Sequence, residues 1–169
     1  DNPEIRVANI SLGTAADPDP RDDVAQALQR LEDSGVVVCI AAGNDTMDTS
    51  GFVPAGYDIG LVVSAYDASD GDQGFASFSN YGTAVDVAAP GVSILSTWPG
   101  EDYAALDGTS MATPHVAGAA AVALAINPSL SASQVRTKVV SNGEDDYQGQ
   151  NNRHGEPLLD VGALVEAVQ

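Results

Sequence analysis

Residues 108 to 118 read Gly-Thr-Ser-Met-Ala-Thr-Pro-His-Val-Ala-Gly, and this run restricts the local fold more than any other stretch. Gly108 suits a turn, and Pro114 suits a first helical turn, where no amide hydrogen is needed. The run therefore predicts a helix that begins near Ser110. A hydroxyl there lies near unpaired backbone N–H groups and the positive end of the helix dipole, which favour negative charge. An acyl-transfer nucleophile needs this environment because its reaction builds an oxyanion.

A purely structural interpretation fits the same residues. Ser110 would then only cap a buried helix, and small residues such as Ala117, Gly118 and Ala119 would let neighbouring elements pack closely. Both interpretations can hold together, because a motif on its own is a hypothesis about chemistry.

A second informative segment is the apolar run Val36 to Ala42, which is followed by Gly43 and Asn44. Its length and β-branched content are typical of a strand that is buried on both faces of a parallel sheet. Open α/β sheets place their ligands at the carboxyl ends of such strands, so Asn44 is a candidate site residue. Alternatively, Gly43 and Asn44 form only a turn, because both residues tolerate positive φ.

The order of the predicted elements gives the fold class. A strand over Val7–Leu12, a helix over Asp22–Asp33 and the strand over Val36–Ala42 make a right-handed parallel crossover. The remaining predictions are strands over 61–66 and 85–89, a hairpin over 92–97 and 103–106, and helices over 110–126, 131–141 and after Asp160. Ser131 and Gln134 have the spacing of a capping box for the second of these helices. We expect an α/β fold with a mainly parallel sheet.

Three segments together resemble the subtilisin-like serine proteases, or subtilases. They are the run 108–118, the segment Gly-Val-Val-Val-Cys-Ile-Ala-Ala-Gly-Asn at 35–44, and the segment Val-Ala-Asn-Ile-Ser-Leu-Gly at 7–13. The resemblance covers essentially the whole chain. It implies the three-layer subtilisin-like fold, of which residues 1–169 would form the C-terminal portion of the catalytic domain.

The resemblance also implies roles for individual residues in a serine endopeptidase. Ser110 would be the nucleophile that forms an acyl-enzyme, and the side chain of Asn44 and the backbone N–H of Ser110 would bind the oxyanion. The two walls of the pocket for the residue before the cut would be formed by Ser11, Leu12 and Gly13 on one side and by Ala41, Ala42 and Gly43 on the other. Since the second wall is small, we expect a sizeable apolar side chain in this pocket. Polypeptide would be the substrate, and its backbone would pair with the Ser11–Gly13 segment.

A general base and its orienting carboxylate are missing from this arrangement. Subtilases carry that His and Asp before the Ser-Leu-Gly strand, and the chain begins only ten residues before Ser11. His115 lies on the same predicted helix as Ser110 and is expected to be packed and hydrogen-bonded, and His154 is expected in a surface loop. We therefore expect the chain alone to be inactive and to need the N-terminal half of the domain as a partner. The alternative is a non-catalytic remnant that binds peptides or a partner.

The charge of the chain excludes some partners. It has 24 Asp and Glu against 6 Lys and Arg, a net charge of −18 at pH 7. Nucleic acids and anionic membranes attract positive charge, so neither is an expected partner. No uninterrupted apolar stretch approaches the roughly 18 residues of a membrane span. The acidic surface fits either an ordinary extracellular protein or a salt-adapted source, and the resemblance implies secretion.

The sequence gives little sign of a metal or cofactor. The expected chemistry requires no cofactor, and no Cys or His cluster has the spacing of a zinc site. Structural calcium is one interpretation of Asp67, Asp70 and Asp72, whereas short acidic loops are more often only solvated. The single cysteine, Cys39, lies within the predicted buried strand and is expected to be an inert packing residue.

Overall fold

The computed structural model describes residues 4–69, 74–145 and 153–169. Within these residues the strands are β1 (Val7–Ile10), β2 (Thr14–Ala15), β3 (Val37–Ala41), β4 (Phe52–Val53), β5 (Leu61–Tyr66), β6 (Val87–Pro90), β7 (Ile94–Trp98) and β8 (Asp102–Leu106). The α-helices are α1 (Asp23–Asp33), α2 (Thr109–Ile126), α3 (Ala132–Ser141) and α4 (Val161–Val168). Short 3₁₀ turns occupy Thr49–Gly51 and Ala55–Tyr57.

The central sheet is parallel and has the strand order β1-β3-β5-β6. Helix α1 makes the crossover from β1 to β3, and Gly35 ends the crossover helix with φ +87°, a conformation that glycine adopts freely. The predicted α/β class is therefore confirmed. The first strand stops at Ile10, two residues earlier than expected, so Ser11 to Gly13 continue beyond the sheet.

Strand β3 separates two cores because successive side chains of a strand point to opposite faces. Val37 and Cys39 pack in a cluster with α2, α3 and α4, whereas Val38 and Ile40 pack on the other face with Leu28 of α1. The sheet therefore has helices on both sides. Burial raises the pKa of the Cys39 thiol to about 12, which agrees with the expectation of an inert packing residue.

Helix α2 crosses the sheet and contacts β1, β3, β5 and β6. Its buried face consists largely of small residues, among them Ala112, Ala120 and Ala123 around Val116, which allow this close approach. The helix is long and apolar enough to cross a membrane by length and composition, but half of it is buried inside the fold. Its packing against four strands accounts for its apolar sequence.

Both C-terminal helices begin with a side-chain cap, and the capping box predicted at Ser131 and Gln134 is confirmed. Ser131 accepts a hydrogen bond from the Gln134 backbone while the Gln134 side chain accepts one from the Ser131 backbone, which is the capping box. The side chain of Asp160 accepts a hydrogen bond from the Ala163 N–H at the start of α4. Both helices pack on the α2 side of the sheet.

Two surfaces of the described residues are only partly covered. Strand β1 has a neighbour on one side alone, so it forms a sheet edge, whereas β3 lies inside the sheet. Strands β7 and β8 form an antiparallel hairpin whose side chains Leu95, Trp98 and Tyr103 are at least half exposed. The strand that leads to Ser11 therefore has backbone groups open to pairing, whereas the strand that leads to Asn44 does not.

Candidate active site

Ser110 is the second residue of α2, and two hydrogen bonds tie it to the segment that follows β1. The Ser110 hydroxyl donates to the carbonyl oxygen of Ser11 at 3.3 Å, and the Ser11 hydroxyl donates to the carbonyl oxygen of Ser110 at 3.0 Å. The parallel topology brings these distant segments together, because β1 and β3 end at the same edge of the sheet. The serine that was predicted to start the helix therefore lies at the carboxyl edge of the strands.

Asn44 lies at the same edge, three residues after β3, and is oriented by Thr109. The backbone N–H and the hydroxyl of Thr109 both donate to Asn44 Oδ1, each at 2.9 Å. With its oxygen held in this way, the side-chain amide of Asn44 directs its NH₂ group away from Thr109. A Cβ built on Gly108 would lie 3.6 Å from Asn44 Nδ2 and 3.6 Å from the Ser110 nitrogen. The nitrogen atoms of Asn44 and Ser110 thus lie at the same distance from this position beside Gly108, and Met111 Sδ lies 3.5 Å from it.

The hydroxyl of Thr109 is fully buried and satisfied. It accepts a hydrogen bond from the Gly43 N–H at 3.1 Å while it donates to Asn44. The start of α2 and the end of β3 are thus joined by one side chain. Sequence reasoning did not single out Thr109 as a site residue, although its place directly before Ser110 in the motif was visible.

Asn80 holds the loop after Asn44 and was also missed. Its Oδ1 accepts hydrogen bonds from the backbone N–H groups of Asp45 at 2.9 Å and Met47 at 3.0 Å, and its Nδ2 donates to the Ala42 carbonyl at 2.9 Å. The Asn80 side chain is completely buried, so water does not reach its end of these bonds. Asn80 therefore fixes the path of the chain on both sides of Asn44.

A cleft of about 360 Å³ runs past these groups. Its lining residues are Leu12, Gly13, Ala41, Gly43, Asn44, Asp45, Phe52, Thr109 and Ser110. Most of the predicted wall residues are thus brought together. Ala42 is not among them, because its side chain is buried in the core on the α1 side. Ser11 does not line the cleft either, but its two hydrogen bonds to Ser110 hold it beside the cleft. Phe52 does line the cleft, although the sequence did not suggest it.

A model of the subtilase family matches residues 2–156 of this chain. The chain belongs to the subtilase family. Subtilisin BL from Lederbergia lenta is 41% identical over 164 residues, which are 97% of this chain and 58% of that protein. Subtilisin DY from Bacillus licheniformis is 42% identical over 166 residues, which are 96% of this chain and 57% of that protein. The chain therefore spans little more than half the length of these relatives.

Solved structures agree with the family assignment. A protease structure from Pseudoalteromonas arctica has a TM-score of 0.87 at 30% identity, and the match covers 96% of this chain and 51% of the protease chain. A cold-adapted subtilisin-like serine proteinase has a TM-score of 0.80 at 37% identity and covers 90% of this chain and 54% of its own. The expected subtilisin-like fold is confirmed.

Neither histidine of this subtilase chain is hydrogen-bonded to Ser110 in the described residues. His115 is exposed on α2, where its Nδ1 lies 2.9 Å from the Met111 carbonyl oxygen, so its expected hydrogen bond is confirmed and its expected packing is wrong. The expectation of a surface loop for His154 is also wrong, because the ring is only 6% exposed. His154 Nδ1 lies 3.0 Å from Glu156 Oε1, and its ring stacks on Phe75 with centroids 3.9 Å apart.

The described part of the chain shows no group of three or more His, Cys, Asp or Glu side chains that could hold a metal ion. Of the residues considered for calcium, Asp70 and Asp72 lie outside the described residues. Asp67 Oδ1 accepts hydrogen bonds from the Ser69 backbone at 2.9 Å and the Ser69 hydroxyl at 2.6 Å. Structural calcium at this loop stays a prediction.

Proposed function

We propose that Ser110 is the nucleophile of a serine endopeptidase. Its Oγ attacks the carbonyl carbon of a peptide bond, and Asn44 Nδ2 and the Ser110 N–H donate hydrogen bonds to the oxyanion that forms. The amine leaves with a proton, and water then hydrolyses the Ser110 ester. The observation that carries this proposal is the nearness of Asn44 Nδ2 and the Ser110 nitrogen, each of which lies 3.6 Å from the position of a Cβ built on Gly108. Donors fixed before the reaction stabilise the transition state without reorganisation.

The general base of this reaction has to come from outside the present sequence. His115 points to the Met111 carbonyl and His154 to Glu156, so neither is positioned to take the Ser110 proton. We infer that residues 1–169 act as the C-terminal portion of a catalytic domain and that a further polypeptide portion supplies the His and Asp. Strand β1 has a single neighbour among the described strands, and its other side offers backbone groups with which a strand of that portion would pair.

The substrate is proposed to be an extended polypeptide. It would lie along Ser11 to Gly13, which continue beyond β1, and pair with them through backbone hydrogen bonds. Backbone pairing of this kind can bind peptides of many sequences. The pocket for the residue before the cut would therefore decide which bond is cleaved. The location that we propose is extracellular, and the net charge of −18 is compatible with exposure to high salt.

Hydrolysis of a protein substrate such as casein tests this function. The sample is the polypeptide that contains this segment together with the portion that supplies the base. Ser110→Ala should lower kcat about 10⁶-fold, because nucleophile and base act as a unit. Ser129→Ala changes an exposed serine away from the cleft and should leave kcat unchanged. A folded wild-type protein that binds peptides without cleaving them would instead support the non-catalytic alternative.

A further inference from the structure

The ring of Phe52 lies between the two segments that bound the cleft. A Cβ built on Gly43 would lie 2.7 Å from Phe52 Cε1 and 2.8 Å from Phe52 Cζ. A Cβ built on Gly13 would clash with the same Cε1 atom. One ring edge therefore approaches both glycines, and both of them line the cleft. The absence of a side chain at both positions is what lets the ring occupy this place.

The position of the ring is fixed by long-range packing. Strand β4 pairs with β2 in antiparallel register, with Phe52 opposite Ala15, and this pairing places Phe52 next to the Gly13 segment. The side chain is 5% exposed and packs in the core cluster that contains Ile40 and Val62. Aromatic rings held in this way in a close-packed core do not move aside for a ligand without losing contacts.

We propose that the Phe52 ring forms the floor of the pocket for the residue before the cut and restricts that residue to a small side chain. This inference rests on the proposed function and names its substrate class, which is peptides with alanine, glycine or serine at that position. A larger side chain that entered between the two walls would meet the ring edge. This proposal differs from the expectation of a sizeable apolar residue, which was drawn from the small walls alone and stays a prediction.

The proposal makes Phe52 a residue that selects substrates without taking part in the chemistry. Ser110 and Asn44 lie at the start of α2 and just after β3, whereas Phe52 comes from β4. Shortening Phe52 should therefore change which peptide is cleaved and leave the nucleophile and the oxyanion donors in place. Differences of one or a few methylene groups in an apolar pocket commonly change kcat/KM by about 10- to 200-fold.

The test compares peptides that differ only in the residue before the cut, which is alanine, leucine or phenylalanine. The protein is the active polypeptide that includes the base-supplying portion. We expect the wild type to cleave the alanine peptide with a kcat/KM at least about 10-fold above that for the phenylalanine peptide. Phe52→Ala should raise the phenylalanine-to-alanine ratio about 100-fold, and Phe52→Leu should raise it by a smaller factor.

Three controls keep the result interpretable. Phe78→Leu removes similar volume from the other core cluster and should leave the ratio unchanged. Because Phe52 is buried, Phe52→Ala is checked for folding by circular dichroism, and Phe52→Leu replaces it if the alanine variant does not fold. Labelling of Ser110 by a fluorophosphonate counts the active sites in every sample.

The outcomes separate this inference from the proposed function. A wild type that labels at Ser110 and cleaves the phenylalanine peptide as fast as the alanine peptide would overturn the role of Phe52 alone. The same holds if the ratio does not move in the folded Phe52 variants. A folded protein that neither labels at Ser110 nor cleaves any of the peptides would overturn the proposed function itself.

Discussion

Thr109 donates two hydrogen bonds to a single atom, Asn44 Oδ1, from its backbone N–H and from its hydroxyl, each at 2.9 Å. The residue before the proposed nucleophile thereby orients the side chain proposed to bind the oxyanion. This relationship joins the start of α2 to the end of β3, so the geometry of the site depends on how the helix packs on the sheet.

Asn44→Ala removes one of the two proposed oxyanion donors. We expect kcat to fall about 10²- to 10³-fold with little change in KM, because the lost hydrogen bond strengthens only in the transition state. Steady-state kinetics on the active polypeptide measures this. Asn142→Ala is the matched control, since Asn142 bonds to Lys138 at the end of α3 and should leave kcat unchanged. A rise in KM at unchanged kcat would contradict the role of Asn44.

Thr109→Val removes the hydroxyl and keeps the shape of the side chain. Asn44 then keeps only the backbone donor, and the Gly43 N–H loses its acceptor. We expect kcat to fall by about 10-fold and the free energy of unfolding to fall by about 1–3 kcal/mol, because a buried N–H is left unpaired. Thr109→Ser keeps the hydroxyl and should retain most of the wild-type kcat and most of the wild-type free energy of unfolding. A loss in Thr109→Ser that Thr109→Val does not share would show that the methyl group matters instead of the hydroxyl.

Asn80→Ala removes three hydrogen bonds, one buried and two partly buried, that hold the chain around Asn44. We expect the free energy of unfolding to fall by about 3 kcal/mol, since two N–H groups and one carbonyl lose their partner. Denaturant unfolding at constant pH measures this loss. Asn9→Ala is the comparison, because Asn9 is exposed and should change stability little. A loss below about 0.5 kcal/mol for Asn80→Ala would contradict this account of the loop.

Arg136 joins two carboxylates, with its Nη2 2.7 Å from Asp58 Oδ1 and 3.0 Å from Asp86 Oδ1. Burial raises the pKa of Asp86, although the Val62 N–H and Arg136 oppose that rise. A carboxyl whose pKa is raised in the folded state holds its proton more tightly there. Its contribution to stability is therefore present below the unfolded pKa and lost as the pH rises through the folded pKa.

Arg136→Met leaves the Asp86 carboxylate without its cation. We expect the free energy of unfolding to fall by about 3 kcal/mol at pH 7. The fall should be smaller at pH 4, because the raised pKa of Asp86 lets this carboxylate take up a proton. Adding Asp86→Asn to Arg136→Met should remove most of this difference between the two pH values. Unfolding curves at both pH values measure it, and an equal loss at pH 4 and pH 7 would contradict the electrostatic explanation.

The net charge of −18 predicts a salt effect on stability. Repulsion among surface carboxylates is screened when the Debye length falls from about 30 Å at 0.01 M salt to about 3 Å at 1 M. The midpoint of thermal unfolding should therefore rise between low and molar potassium chloride. A midpoint that stays level or falls would count against adaptation to salt.

The sequence was sufficient to predict those strands and helices that are determined by the residues within them. The apolar run around Val38 predicted a doubly buried parallel strand, and the 108–118 run predicted the helix start, so the meeting of Ser110 and Asn44 followed from parallel topology. The first strand was predicted two residues too long, because the pairing of β1 with β3 ends at Ile10 and the described residues offer Ser11 and Leu12 no partner in this sheet.

The positions of Phe52 and His154 could not be predicted, because contacts far along the chain determine both. The pairing of Ala15 with Phe52 brings the ring into the cleft, and nothing in the local sequence indicates it. The polar residues around His154 are typical of a surface loop. The ring is nevertheless buried, because Leu158 bridges to Ala88 of β6 and carries the preceding residues onto the fold, where the ring stacks on Phe75.

The most direct test of the central claim is to treat the active polypeptide with a fluorophosphonate and to map the adduct by peptide mass spectrometry. We predict one adduct, on Ser110, which is lost in Ser110→Ala and retained in Ser129→Ala, with loss of hydrolysis in proportion to labelling. An adduct on a different serine, or full hydrolysis by Ser110→Ala, would contradict the claim that Ser110 is the nucleophile.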